Sequence, residues 1–296
     1  MCPKGLGKEA QKLEKMVMIL FILMKKLSKQ REFPLLFVRY CFIIMLICLK
    51  GDQGVGELIA IVSGKGGTGK TSLCAGIAQA LAESGEAVLC IDCDVGMRNL
   101  DIALGISHLG AISFQEATEY GLDKATQHPQ FPGLQFLTAP MNCSVDAVRL
   151  EDFGRLLEQA RNRFTYVLLD APAGVEAGFR LAARYADRIV VVTGSDPASV
   201  RDAGRAGQLL HDMDKNNVRI IVNRIDPYMV KAMRLTVDDI MDRTGLPLMG
   251  IVPEDPEVVL AAAFEKPLLK HTKRGAAAAC RRIAKRIQGR RVPVSL

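Results

Sequence analysis

The chain has 296 residues, 49% hydrophobic and 24% charged, with a formal net charge of +7 at pH 7. It is long and apolar enough to bury a sizeable core, which excludes a disordered or low-complexity polypeptide. The charge is confined to the ends. Residues 1–50 hold ten Lys/Arg against three Asp/Glu, residues 266–296 hold ten basic residues and no acidic ones, and 51–265 sum to −10. A general nucleic-acid-binding surface on the body is therefore not expected.

Residues 1–55 stand apart as an extension. The runs 16–24 and 34–49 are apolar, yet each is short for a bilayer span and lysines separate them. A secretory signal also fits poorly with the cytosolic chemistry of the next segment. The expectation is that this stretch lies upstream of the translated protein. Val55 can be encoded by GTG, a bacterial start, and Lys50-Gly51-Asp52 by codons that contain a ribosome-binding sequence. A membrane anchor is the alternative reading. A single domain is expected over 56–289, with a short basic tail at 290–296.

The apolar run Leu58-Ile59-Ala60-Ile61-Val62 reads as a buried strand. Gly64-Lys65-Gly66-Gly67-Thr68-Gly69-Lys70-Thr71-Ser72 follows and opens a helix pattern. Its glycines let successive N–H groups turn inward as a nest for an anion at a helix N-terminus. Gly64 through Thr71 meets G-x-x-x-x-G-K-[ST], in which the lysine reaches the outer phosphates and the hydroxyl ligates Mg²⁺. A nucleoside triphosphate is the ligand this chemistry suits.

Next, Ala87 to Asp92 is a second buried strand, leading into Cys93-Asp94-Val95-Gly96-Met97-Arg98-Asn99-Leu100-Asp101. A helix is expected near 146–161, then a strand at 165–169 ending on Asp170, whose carboxylate emerges at the C-terminal edge of a parallel sheet. Helices at 177–185, 197–211 and 232–243 alternate with strands at 188–193, 218–223 and 247–252, and further helices fill 256–287. Such alternation predicts an α/β fold: a doubly wound, mainly parallel sheet with helices on both faces.

Cys90 and Cys93 form a C-x-x-C among eight cysteines, but no second pair stands at zinc spacing, so a structural role is expected. The four histidines lie apart. Near the C-terminus, Ala276, Ala279, Cys280, Ile283 and Ile287 fall on one helical stripe with Arg281, Arg282, Lys285 and Arg286 on the others.

Lys65, directly after the first glycine, makes the loop similar to the deviant Walker A loop of the MinD/ParA family of P-loop ATPases. Pro172-Ala173-Gly174-Val175-Glu176-Ala177-Gly178, Ser199-Val200-Arg201-Asp202-Ala203-Gly204-Arg205, Val222-Asn223-Arg224 and Gly250-Ile251-Val252-Pro253-Glu254-Asp255 extend the resemblance over about residues 57–270, most closely to its MinD branch. The resemblance implies that Lys65 crosses a dimer interface to the partner's nucleotide, so that ATP binding builds a homodimer. It makes Asp94 the switch I residue that orients the attacking water, Asp170 the Walker B acid acting on Mg²⁺ through water, and 171–174 switch II. Lys65, Lys70, Asp94 and Asp170 are then the catalytic set, and Thr71, Asp94 and Asp170 the metal set. ATP is held by Gly64, Lys65, Gly66, Gly67, Thr68, Gly69, Lys70, Thr71 and Ser72, with Asn223, Arg224, Pro253 and Asp255 on the base side. The Asn223 amide offers both a donor and an acceptor to an adenine edge.

The same resemblance implies a cytoplasmic, ATP-hydrolysing regulator of septum placement that recruits a MinC-like inhibitor, with a MinE-like regulator as a second partner. Peripheral binding at the inner face of the membrane is the family's habit. Here its C-terminal targeting element looks degenerate: the basic stripe falls on the last core helix, and Pro293 opposes a helix beyond it. A ParA-type DNA-segregation ATPase, a flagellar-number regulator and an iron–sulfur carrier ATPase are the alternatives.

Overall fold

β-Branched and leucine side chains fill the strands, and their alternation sends successive residues to opposite faces of the sheet. The computed structural model describes residues 55–95, 97–141, 148–233 and 236–295. The expectations for residues 1–54 of the N-terminal extension, for Gly96, for residues 146–147, for 234–235 within the helix expected at 232–243 and for Leu296 lie outside them. Eight strands form one sheet: β1 (Glu57–Val62), β2 (Val88–Asp92), β3 (Thr126–Gln127), β4 (Leu134–Leu137), β5 (Tyr166–Asp170), β6 (Arg188–Thr193), β7 (Val218–Ile225) and β8 (Leu248–Pro253). Their order is β3-β4-β2-β5-β1-β6-β7-β8. All pairs are parallel except β3 with β4, which is antiparallel. The expected α/β architecture is thus the observed one.

Strand alternation divides the core in two. Leu58, Ala60 and Val62 face a layer that contains Phe153, Phe179, Val200 and Leu210, whereas Ile59 and Ile61 face one that contains Leu73, Ile77, Leu81 and Ile283. The first layer is covered by α4 (Leu150–Arg161), α5 (Ala177–Tyr185) and α6 (Pro197–Asp212). The second is covered by α1 (Lys70–Glu83) and α11 (Gly275–Ile287). The stripe of Ala276, Ala279, Cys280, Ile283 and Ile287 is buried there, so it serves the core. Cys90 and Cys93 point into opposite layers as free thiols, and no group of three or more potential metal ligands occurs among the described residues.

Between 93 and 145 the structure adds elements that the periodicity leaves unread. They are α2 (Leu100–Leu104), α3 (Phe114–Tyr120), β3 and β4. All are short. α3 is fixed by a capping box in which Ser113 and Glu116 satisfy each other's backbone N–H groups, rather than by a long apolar face. The helix expected at 232–243 is instead α7 (Pro227–Met233) and α8 (Val237–Thr244), the latter started by a second capping box at Thr236 and Asp239. The remaining helices are α9 (Pro256–Ala263) and α10 (Leu268–His271). Among the described residues no helix is long and apolar enough to cross a membrane.

Candidate functional site

The turn from β1 into α1 is built by glycine geometry. Gly67 and Gly69 take φ of +78° and +82°, a left-handed conformation that side chains resist. Gly64 is forced by proximity, because a Cβ there would stand 2.3 Å from the Asp202 carbonyl of α6. α1 begins with no acidic residue in its first turn, so its positive end remains open to an anion.

Three of the expected site residues meet at this end. Lys70 is buried, and its Nζ donates to Asp170 Oδ1 at 2.9 Å and to Thr71 Oγ1 at 3.4 Å. β5 delivers Asp170 beside β1, where Ile61 and Asp170 are register partners. Burial pushes the Asp170 carboxyl up, against the opposing pull of Lys70. A buried cation paired with one carboxylate is poised to exchange that partner for phosphate oxygens. Thr68 Oγ1 is buried in the loop with no hydrogen-bond partner among the described residues, and its hydroxyl suits a phosphate oxygen. The residues present therefore fit a nucleotide phosphate chain, and the adjacent Thr71 hydroxyl and Asp170 carboxylate fit Mg²⁺ completed by phosphate and water.

Asp94 follows β2 and is half-buried. Burial raises its carboxyl, Lys70 pulls it down, and Asp170 adds to the rise. The neighbouring Asp92 is a site residue that the motif reading passed over. Its two oxygens accept from Asp94 N at 2.9 Å and Leu100 N at 3.3 Å, so it ties Asp94 to the start of α2. Desolvation and the nearby Asp170 charge raise it to about 7. The repeat of aspartate at 92 and 94 was the available signal.

Lys65 lies at the rim, half-exposed, and its Nζ meets Asp196 Oδ1 at 3.2 Å. Asp196 also caps α6 by accepting from Ser199 N at 3.0 Å. Burial acts against it, but the bonds from Ser199 and Lys65 prevail and hold this carboxyl at about 2. Gly-Ser-Asp-Pro is a recognisable cap sequence, whereas its pairing with a residue 131 positions away is not.

On the other flank, Gly69, Ser72, Asn223, Arg224, Pro253 and Asp255 line one cavity of about 170 Å³. Asn223 spends one amide hydrogen on the Thr68 carbonyl at 2.8 Å, which ties the end of β7 to the loop and leaves its oxygen for a ligand. Arg224 has a φ of +57°, unusual outside glycine, and grips Glu254 with two bonds while its Nη1 reaches the Gly67 carbonyl at 3.3 Å. Asp255 anchors the turn after β8: its oxygens accept from Glu257 N at 3.0 Å and Ala276 N at 2.8 Å, linking the starts of α9 and α11.

Comparison with known proteins agrees with this geometry. The profile of the CobQ/CobB/MinD/ParA nucleotide binding domain matches residues 59–268. The septum site-determining protein MinD of Synechocystis is 37% identical over 244 residues, 81% of this chain and 92% of that protein. The protein of the same description from Bacillus subtilis is 35% identical over 249 residues, 82% and 92% of the two chains. Among solved structures, the MinC:MinD cell division protein complex of Aquifex aeolicus superposes with a TM-score of 0.75 at 36% identity, covering 81% of this chain and 99% of that one. A septum site-determining MinD from Pyrococcus horikoshii, complexed with Mg-ADP, gives 0.66 at 25% identity, over 78% and 96%.

Proposed function

The chain belongs to the CobQ/CobB/MinD/ParA nucleotide-binding family, and from that premise we propose that it is a MinD-like ATPase whose ATP-bound dimer regulates placement of the division site by recruiting a division inhibitor. The observation that carries the reading is the convergence of Lys70, Thr71 and Asp170 at the open end of α1, with Lys65 paired to Asp196 at the rim.

ATP would lie with its phosphates in the nest from Gly64 to Thr71 and its base in the cavity beside Asn223, Arg224 and Pro253. Lys70 Nζ would leave Asp170 for the phosphates, releasing that carboxylate. Thr71, Asp170 and Asp94 would hold Mg²⁺, which neutralises phosphate charge when bound. Asp94, kept in place by Asp92, would hold the attacking water in line with the γ-phosphate. Products are ADP and phosphate. Lys65 would exchange Asp196 for the partner subunit's nucleotide, so that hydrolysis removes the group that joins the subunits.

A MinC-like inhibitor is the proposed partner, since a structural neighbour is the MinC:MinD cell division protein complex of Aquifex aeolicus. A MinE-like regulator acting on turnover, a cytoplasmic location and peripheral association with the inner face of the membrane complete the proposal. Light scattering on Asp94→Ala saturated with ATP and magnesium tests it. A dimer is expected, and a protein that stays monomeric overturns the switching role.

A further inference from the structure

The parallel strands start at the edge opposite the phosphate loop. There a cavity of about 740 Å³ opens among the first residues of β6, β7 and β8 and the segment that follows α11. That segment does not continue the helix. Gly289 turns with a φ of +76°, and the chain doubles back: Arg286 donates to the carbonyls of Val292 at 3.1 Å and Pro293 at 2.8 Å, and Arg282 to that of Ser295 at 2.8 Å. The folded-back tail thereby becomes one wall of the cavity.

Five arginines line it: Arg188, Arg219, Arg286, Arg290 and Arg291. Arg188 is neutralised by Glu57 at 2.8 Å. Arg286 spends its donors on carbonyls, and burial and the neighbouring Arg282 hold it below its ordinary value. Arg219, Arg290 and Arg291 are exposed, and their guanidinium groups have no hydrogen bond or ion pair to any described residue. Among the described residues no side-chain carboxylate lines the cavity, although residues 51–265 carry an excess of acid. Like charges gathered around one concavity repel each other, and a bound anion relieves that repulsion. The guanidinium fork matches the oxygens of a phosphate.

We propose that this cavity is an anion site for a phosphate-bearing ligand, gripped by Arg219, Arg290 and Arg291 over a floor of Leu248 and Met249. The ligand is a soluble phosphate compound or the headgroup of an anionic lipid; both present the same oxygens. The site is separate from the nucleotide and does not rest on that reading. Asn217 on this cavity and Asn223 on the other are six residue steps apart along the chain into β7, about 20 Å at roughly 3.3 Å per residue.

The test uses the full chain carrying Lys70→Ala, which disables the phosphate loop. One arm is calorimetric titration with inorganic pyrophosphate. The other is flotation with vesicles of equal phosphatidylglycerol and phosphatidylcholine. Both are repeated with Arg219→Gln/Arg291→Gln, and with Arg180→Gln/Arg205→Gln, which removes the same charge from exposed positions elsewhere. Arg219 and Arg291 are exposed, so unchanged melting is expected. Binding in either arm, weakened at least fivefold by the first pair and less than twofold by the second, supports the site, and the responding arm identifies the source of the phosphate. Absence of binding in both arms, or any other pattern across the two pairs, overturns it.

Discussion

A methyl group on Gly69 would stand 2.3 Å from the Asn223 amide nitrogen, at a φ that already disfavours any side chain. Gly69→Ala is therefore expected to open the bond from Asn223 to Thr68 and to weaken ATP binding at least tenfold, about 1.4 kcal/mol, as read by titration with a fluorescent nucleotide. Lys70→Ala removes the buried cation and is expected to lose nucleotide binding altogether. Asp94→Ala should bind ATP normally but turn it over about 10² to 10⁴ times more slowly in a phosphate-release assay; unimpaired turnover would remove Asp94 from the water-positioning role. The glycines and Lys70 were legible because loop geometry and phosphate chemistry dictate their spacing. Asp92 was not, since its role depends on two backbone N–H groups that the fold brings to its oxygens. The pairing of Lys65 with Asp196 likewise exists only once β1 and β6 lie side by side.

Caps and close helix contacts govern the elements. Asp196 begins α6, and replacing it by alanine is expected to destabilise the protein by about 1 kcal/mol in urea at neutral pH. Its folded value, about 2, lies below the ordinary carboxylate value of about 3.9. The advantage of the wild type over Asp196→Ala should therefore hold above about pH 4 and shrink as pH falls toward 2; a gap that persists at pH 2 would assign the effect to something other than the ionised cap. α1 and α11 touch at Gly76, where a Cβ would come 2.6 Å from the Cys280 sulfur. Gly76→Ala should lower stability by about 1–3 kcal/mol through overpacking, despite the better helix propensity of alanine. Adding Cys280→Ala should restore part of that loss, and strict additivity in the double-mutant cycle would place the strain elsewhere. Long strands and amphipathic helices such as β6 and α6 could be read from periodicity alone. The two residues of β3 and the seven of α3 could not, because a capping box and a neighbouring strand hold them in place.

For the whole molecule, the proposed dimer predicts that turnover per subunit rises with protein concentration. In Lys65→Ala, ATP should still bind, while turnover stays low and independent of concentration. Equal concentration dependence in the two proteins would deny Lys65 its place across the interface. The sheet order was open at the level of sequence: alternation of strands and helices implies parallel pairing, yet it does not say that the first strand ends in the centre. β1 lies between β5 and β6, whose residues begin 109 and 131 positions after Glu57. During synthesis, then, a ribosome that has delivered the phosphate loop has made only an orphan. Its central strand has both edges bare until about residue 170 has emerged from the exit tunnel and one edge bare until about residue 193, so prematurely terminated products are candidates for chaperone capture or proteolysis rather than partial activity.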